Sequence, residues 1–252
     1  AKEYITGKLT LNGRIGGEKW QGDITRNIIH SDSLTHEPDE FWLLNENNTN
    51  KEFELGIDWL GNDDDWKWHI LGLAVVKHQN YENAFNQKNF AQNENYNSQF
   101  KQDRIKTEYI FRNTYGKIGT DRFKPEYGFE IANNKLDTEL EYSENNQPQN
   151  LESANVVVEE FRGEAFVTFV YSATEDLSIE GGLTGEISQI EVSGDATNDQ
   201  TFKFLKPRLA ANYSFNADLQ LNIQAEHNVG QLNFNDFAAS TDTTDDRNTA
   251  GN

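Results

Sequence analysis

Residues 219–229 read Leu-Gln-Leu-Asn-Ile-Gln-Ala-Glu-His-Asn-Val, and apart from His227 every odd position is apolar and every even position is polar. Successive side chains of a β-strand point to opposite faces, so a period of two predicts a strand with one apolar and one polar face. Residues 177–188 and 5–15 repeat the alternation, with glycine at several positions. No helical period fits these three windows comparably. The chain is therefore predicted to be all-β.

Segments with this alternation recur along the whole chain, and most exceed the five or six residues of a typical globular strand. Ten strands are predicted, at residues 3–16, 19–31, 51–60, 66–79, 99–114, 122–143, 155–172, 177–193, 201–215 and 218–233. They are long enough for the ~9–11 tilted residues with which a strand crosses a bilayer. In segment 122–143 the apolar positions change from odd to even numbers, which predicts a β-bulge near Asn133-Asn134.

The connections between these segments alternate in length. Short turns are predicted at residues 16–18, 61–65, 115–121, 172–175 and 216–217, and longer polar loops at 31–50, 80–98, 143–154, 194–200 and 235–252. Short turns at one end and long loops at the other are typical of outer-membrane barrels. The predicted fold class is therefore an antiparallel up-and-down transmembrane β-barrel.

Composition narrows the classes of function. The chain of 252 residues has 22 Lys+Arg against 42 Asp+Glu, a net charge of -20. A nucleic-acid-binding surface needs clustered cations, whereas these are scattered among acids, so no nucleic-acid partner is expected. The absence of cysteine excludes disulfides and thiolate metal sites. The longest apolar run, Ile70–Val76, is far shorter than the ~18–20 residues of a membrane helix.

Aromatic side chains cluster beside the predicted short turns, mostly with the parity of the apolar face. They are predicted to form an aromatic girdle at one membrane interface, built from Trp20, Trp59, Trp66, Trp68, Tyr171, Tyr213 and Phe215. The polar parity, with Glu54, Glu180 and Glu226, would then line a wet lumen. The same alternation also fits a soluble sheet with one solvated face. Arg26 shares the apolar parity of its segment, which places a cation on the predicted lipid face.

The Asn-rich segment 80–100 is the strongest candidate for ligand contact, because aromatic and amide side chains together suit sugars and other polar ligands. The candidate residues are Tyr81, Phe85, Phe90, Tyr96 and Phe100, and ordinary loop packing is the simpler explanation for them. The five histidines are dispersed and lack metal-ligand spacing. His69 has lumen parity and would form an acid–base element beside a carboxylate, although structural lining is simpler. A non-enzyme without metal or cofactor is expected.

Several stretches from about residue 105 to residue 252 resemble the barrel of TonB-dependent receptors. Their motifs are features of strands and loops rather than of a ligand site. They are Asn-Lys-Leu-Asp at 134–137 running into Glu-Tyr-Ser-Glu-Asn at 141–145, Val-Glu-Glu-Phe-Arg-Gly-Glu-Ala-Phe at 158–166, Phe-Leu-Lys-Pro-Arg-Leu-Ala at 204–210, and Val-Gly-Gln-Leu-Asn-Phe-Asn-Asp-Phe-Ala at 229–238 followed by Ala-Gly-Asn at 250–252.

The resemblance implies part of a 22-stranded barrel in the outer membrane of a Gram-negative cell, in contact with lipid and lipopolysaccharide. It further implies a plug domain, an energising inner-membrane partner and uptake of a scarce small ligand. No plug-like region is recognised, so residues 1–252 are expected to be a single, partial barrel region. The alternatives are an outer-membrane adhesin or binding barrel, an omptin-like barrel enzyme, for which no rim Asp and His pair aligns, and a soluble β-protein.

Overall fold

The computed structural model describes residues 6–29, 38–151, 154–230, 240–241 and 249–250. Within these ranges no helix is long and apolar enough to cross a membrane. The strands are β1 (Thr6–Ile28), β2 (Glu40–Asn62), β3 (Trp66–Asn89), β4 (Glu94–Lys117), β5 (Phe123–Glu144), β6 (Gln147–Gln149), β7 (Asn155–Ser172), β8 (Leu177–Gly194), β9 (Asn198–Ser214), β10 (Gln220–Glu226), β11 (Ser240–Thr241) and β12 (Thr249–Ala250).

Strands β1 to β10 form one antiparallel sheet in the order β1-β2-β3-β4-β5-β7-β8-β9-β10, and the short β6 adds to the end of β5. Strands β11 and β12 form a separate two-stranded ladder. Apart from the step past β6, each strand pairs with its neighbour in sequence. This arrangement confirms the predicted all-β, antiparallel, up-and-down fold.

The turn predicted at residues 16–18 does not form. Strand β1 is continuous, and each of its residues from Thr6 to Ile28 pairs with β2 in unbroken register. The apolar positions change from odd to even numbers between Ile15 and Ile24, which imitates two strands joined by a turn. In the continuous strand this change moves the apolar side chains to the other face. Arg26 therefore lies on the same face as Trp20 and Ile24, as its parity predicts, and this is the face opposite to Ile15.

The bulge predicted near Asn133-Asn134 is also wrong. Strand β5 pairs without interruption with both β4 and β7. Ile131 is exposed on one face of β5, whereas Leu136 and Leu140 are buried on the other. The apolar side chains thus change face along β5, as they do along β1, and the backbone needs no extra residue to achieve it.

Strands extend into two predicted long loops. Strand β2 begins at Glu40, so that only residues 29–39 connect it to β1. Strands β3 and β4 continue to Asn89 and from Glu94, which leaves residues 90–93 as a short turn. The many Asn and Gln side chains of these segments favour loops by propensity. The hydrogen bonds of the ladder are made by backbone groups, and Asn and Gln side chains do not prevent them. The predicted long loops at 31–50 and 80–98 are therefore wrong over most of their length.

The sheet has an exposed face and a buried face, although no second layer of described residues covers either one. Side chains of a single layer bury one another only where the sheet curves toward them, as the wall of a barrel does. The side chains that are less than a tenth exposed in β5, β7 and β8 all have even numbers and include Ala132, Leu136, Val156, Val158, Ile190 and Val192. The buried face is therefore the concave one.

A continuous apolar band occupies the exposed face on the side of the short turns 63–65, 118–122 and 173–176. It covers nine residues of β5, Phe123 to Ile131, and eleven of β4, Ile105 to Tyr115. Its members are at least a third exposed and include Leu9, Leu11, Ile15, Phe53, Leu55, Ile57, Ile105, Tyr109, Phe111, Phe123, Tyr127, Phe129, Ile131, Phe161, Val167, Tyr171, Leu183, Ile187, Leu205, Leu209, Tyr213, Leu221 and Ile223. Beyond the band the exposed face becomes charged.

Gly128 occupies the tightest approach between β4, β5 and β7. A Cβ added there would lie against the carbonyl oxygen of Asn113 and 2.7 Å from Cζ of Phe166. The carbonyl oxygen of Asn113 belongs to the backbone of β4, which is held in place by its ladders to β3 and β5. Gly128→Ala is therefore expected to destabilise the protein by about 1–3 kcal/mol. Denaturant unfolding of the detergent-solubilised protein measures this loss. Gly163→Ala in β7 is the matched control, since its Cβ meets nothing within 4 Å, and equal losses would contradict the prediction.

Candidate functional site

Charged side chains line the buried face directly opposite the apolar band. Arg162 donates from Nη2 to Oε1 of Glu130 at 2.9 Å, and Arg112 donates from Nη1 to Oε2 of the same carboxylate at 3.4 Å. The Glu130 and Arg162 side chains are only 13% and 11% exposed. Arg112 also lies 4.8 Å above the ring of Phe166. One carboxylate thus joins strands β4, β5 and β7 through two guanidinium groups.

A second charged cluster continues this line across β7, β8 and β9. Glu130, Glu164 and Glu186 are directly opposite one another in register, so three carboxylates stand side by side. Like charges in such positions repel. Lys206 Nζ contacts Oε1 of Glu164 at 2.8 Å and Oε2 of Glu186 at 2.5 Å. The lysine therefore bridges two carboxylates that the strand register forces together and offsets part of their repulsion.

Glu160 is a further buried carboxylate on this face, only 7% exposed. It accepts hydrogen bonds from Nδ2 of Asn134 at 2.9 Å and from Oγ of Ser188 at 2.8 Å. Beside it lies a cavity of about 310 Å³ with one charged and one apolar wall. The charged wall includes Arg162 and Lys206, and the apolar wall includes Ile190, Phe202 and Phe204. This cavity suits a group with both a polar and an apolar part.

His69 lies on the buried face, as its parity predicts. Its Nε2 is 3.1 Å from Oδ2 of Asp58, and both side chains are about one third exposed. The pair joins β2 to β3 in the same way as the ion pairs of the other strands. Among the described residues no three His, Asp or Glu side chains are placed to hold a metal ion.

Four of the five predicted ligand-contact residues lie together on the buried face of the β3–β4 hairpin. Tyr81 lies against Phe100 with ring centroids 6.2 Å apart, and Phe85 lies 6.2 Å from Tyr96. Phe85 and Phe100 are buried, and their rings therefore pack against the sheet. Phe90 is placed apart, in the turn after β3, with the ammonium of Lys88 4.9 Å above its ring.

Two aromatic residues outside the predicted set complete this cluster. Trp42 in β2 lies edge-on to Phe85 with centroids 5.5 Å apart. Tyr142 in β5 donates from its hydroxyl to Oε1 of Glu144 at 2.7 Å, and Tyr96 donates to the same oxygen at 3.2 Å. Burial, together with these hydrogen bonds, raises the pKa of Tyr142. The hydroxyl of Tyr142 therefore stays a hydrogen-bond donor at neutral pH.

The buried face becomes apolar beyond the level of the band. One cluster consists of Leu136, Val156, Val158, Ile190 and Val192, and Ala196 and Phe202 pack against it. The other consists of Phe100, Leu140 and Ala154, with Tyr81, Tyr142 and Leu151 beside it. At the level of the band the exposed face is apolar and the buried face is charged. Beyond the band the buried face is apolar and the exposed face is charged.

Six of the seven predicted girdle residues lie beside the short turns. Trp66 is stacked on Tyr115 with centroids 4.5 Å apart and an angle of 2°, and Tyr213 lies edge-on to Phe215 at 4.7 Å. The others of the six are Trp59, Trp68 and Tyr171. Trp20 lies apart from them, opposite Asn48 in the upper half of β1. Its place beside a turn is wrong because the turn at residues 16–18 does not form.

The charged network is the part of the site that sequence reasoning missed. Every member has the polar parity of its strand, and this signal correctly places Arg162 and Lys206 on the face opposite to the apolar band. Lys206 and its partner Glu164 are 42 residues apart in sequence. Alternation assigns a residue to a face but carries no information about such a distant partner.

No protein-family model matches the chain, and no curated protein is similar to it in sequence. Among the solved structures it resembles is the ferric yersiniabactin uptake receptor FyuA from Yersinia pestis, at 9% identity and a TM-score of 0.39, over 89% of this chain and 47% of that one. Others are the ferric citrate transporter FecA in its unliganded form, at 9% identity, a TM-score of 0.41, and 87% and 44% coverage, and the copper transporter OprC, at 10% identity, a TM-score of 0.33, and 85% and 44% coverage.

This chain therefore spans less than half the length of each of these structures. Identities this low indicate a likeness of fold alone.

Proposed function

We propose that this chain is part of the wall of an outer-membrane receptor that takes up a scarce nutrient into a Gram-negative cell. The apolar band on the exposed face carries the proposal. It is nine residues long on β5 and eleven on β4, which matches the ~9–11 tilted residues that a strand needs to cross a bilayer. A protein surrounded by water would not expose such a large continuous apolar surface, so this surface faces lipid.

The charged network on the opposite face supports a wet lumen at the level of the membrane. A soluble sheet buries its apolar side chains and exposes its charges, whereas here Ile131 is exposed and Glu130 beside it is buried. Lumen-facing carboxylates and cations are compatible with a water-filled or protein-filled interior. This inversion favours a receptor wall over a soluble β-protein.

The strands continue past the band by a further ten residues or more in β2, β3, β4 and β5. This upper wall stands outside the membrane, where its exposed face carries charges such as Asp137 and Glu139. Its buried face carries the aromatic cluster, in which the half-buried Tyr81 and Tyr96 would contact an incoming ligand above the buried rings of Phe85 and Phe100. In this proposal the chain binds and guides the ligand and performs no chemistry of its own.

The resemblance of residues 105–252 to TonB-dependent receptors supports the assignment to nutrient uptake. The complete receptor would then contain a plug domain in the lumen, and an inner-membrane partner would supply the energy for transport. The aromatic residues beside the short turns, Trp66 and Tyr213 among them, would lie at the periplasmic interface, where amphipathic rings are favoured. Lipid and lipopolysaccharide would contact the exposed face.

Fractionation of cells that make the native protein tests this proposal. The protein is expected in the outer-membrane fraction, to require detergent for extraction, and to change its mobility on a denaturing gel when boiled, because folded barrels resist detergent. A strain lacking the gene should also lose growth on the transported nutrient. Recovery in the water-soluble fraction would refute the membrane wall, and unchanged growth on every scarce nutrient source tested would favour an adhesin over a transporter.

A further inference from the structure

Three cations lie together on the buried face, at the level where the apolar band of the exposed face ends. Lys77 in β3 and Lys106 in β4 are directly opposite in register, and Arg104 is the next residue on the same face of β4. Directly opposed side chains have Cβ atoms about 5 Å apart, and like charges in this position destabilise a sheet. The chain carries a net charge of -20, so this local concentration of positive charge runs against its composition.

Only one of these cations has a carboxylate partner in the part of the chain that the structure describes. Lys77 Nζ lies 3.5 Å from Oε2 of Glu52. Arg104 and Lys106 form no ion pair with any described residue. Glu108, the next residue on this face of β4, is not within ion-pair distance of Lys106 either. Two positive charges therefore point into the concave side without a neutralising group.

Two buried polar atoms beside these cations have unused hydrogen-bonding capacity. Nε of Arg104 is buried and has no hydrogen-bond partner among the described residues, and the same is true of Oγ1 of Thr138. Thr138 is directly opposite Arg104 in register and is only 1% exposed. Burial lowers the pKa of Arg104, since its charge is partly removed from water without compensation. A buried polar atom without a partner costs stability, and a bound acceptor would remove that cost.

We propose that Lys77, Arg104, Lys106 and Thr138 bind a small, multiply charged oxyanion that carries carboxylate or phosphate groups. The guanidinium fork matches the spacing of two such oxygens, and the ammonium groups add charge without demanding one geometry. The hydroxyl of Thr138 donates a further hydrogen bond. This inference rests on the proposed function, because it names the chemical class of the ligand that the receptor takes up.

Calorimetric titration of the full-length protein in detergent with inorganic pyrophosphate tests the site at low ionic strength. The wild-type protein is expected to bind the probe, and Arg104→Gln and Lys106→Gln are each expected to weaken binding by about tenfold or more, since each removes a charge-assisted contact. Lys101→Gln is the matched control. It lies in the same strand but on the exposed face, so its affinity should equal that of the wild type.

Absence of binding by the wild-type protein, or equal weakening by Lys101→Gln, would overturn the inference. A competing occupant is an acidic side chain of a protein segment inside the lumen. In that case pyrophosphate would not bind and Arg104→Gln would lower the melting temperature without any ligand, which also overturns it. Extraction by detergent and heat-modifiable mobility do not depend on these residues, so failure of the proposed membrane function would be recognised separately.

Discussion

Ile131→Arg is expected to destabilise the protein in a lipid bilayer by about 1–2 kcal/mol, because the cost of an arginine on the lipid face of a barrel falls from the middle of the membrane toward the interface and Ile131 is the last residue of the band on β5. Ile131 lies within the apolar band of β5 and is 42% exposed. In water such an exposed position would accept arginine at little cost. The substitution therefore reports the solvent that surrounds the exposed face, because the expected loss of stability is larger in the membrane interpretation than in the soluble one.

Asp137→Arg is the matched control for this substitution. Residue 137 lies on the same face of the same strand, six positions further along and beyond the band. Both variants place an arginine on the same face of β5, at positions that differ in depth. Denaturant titration of the full-length protein in lipid vesicles gives both free energies. Equal stability of the two variants would contradict a lipid-facing band, and lower stability of Asp137→Arg would place the membrane at the other end of the strands.

The fold was predictable from sequence because β-strands have a period of two, whereas the change of face was not. In β1 and β5 the apolar residues move from odd to even positions, and a turn or a bulge explains this change as well as a continuous strand does. Only the ladder to the neighbouring strand decides between them, and it is unbroken through residues 16–18 and through Asn133. In β5 the physical reason is a change of environment, since the apolar side chains lie on the exposed face within the band and are buried on the other face beyond it.

The candidate site was predictable only in part, for a related reason. Aromatic residues in segment 80–100 were recognised by their type, and Tyr81 and Phe100 do meet on one face of the hairpin. Trp42 and Tyr142 join them from strands that are distant in sequence, and parity alone gives no partner. The charge network depends still more on register, since a shift of two residues between β7 and β8 would separate Glu164 from Glu186.

Lys206→Met is expected to have the second large effect, a loss of about 3 kcal/mol, because removing one partner of a buried ion pair leaves charges without compensation. Glu164 and Glu186 are directly opposite each other, and their side chains are only 18% and 11% exposed. Without the ammonium group they repel at close range. Lys203→Met, three residues earlier on the exposed face of β9, is the control and should cost far less.

Replacement of both carboxylates tests whether electrostatics or packing causes this loss. In the variant Glu164→Gln/Glu186→Gln/Lys206→Met no charge remains to be compensated, so most of the lost stability should return, as expected when the members of one network are removed together. The measurement is the free energy of unfolding of the wild type, Lys206→Met, the control Lys203→Met and the triple variant, all in the same detergent or lipid. A triple variant as unstable as Lys206→Met would mean that the packing of the lysine stem, which lines the same cavity as Phe204, matters more than its charge.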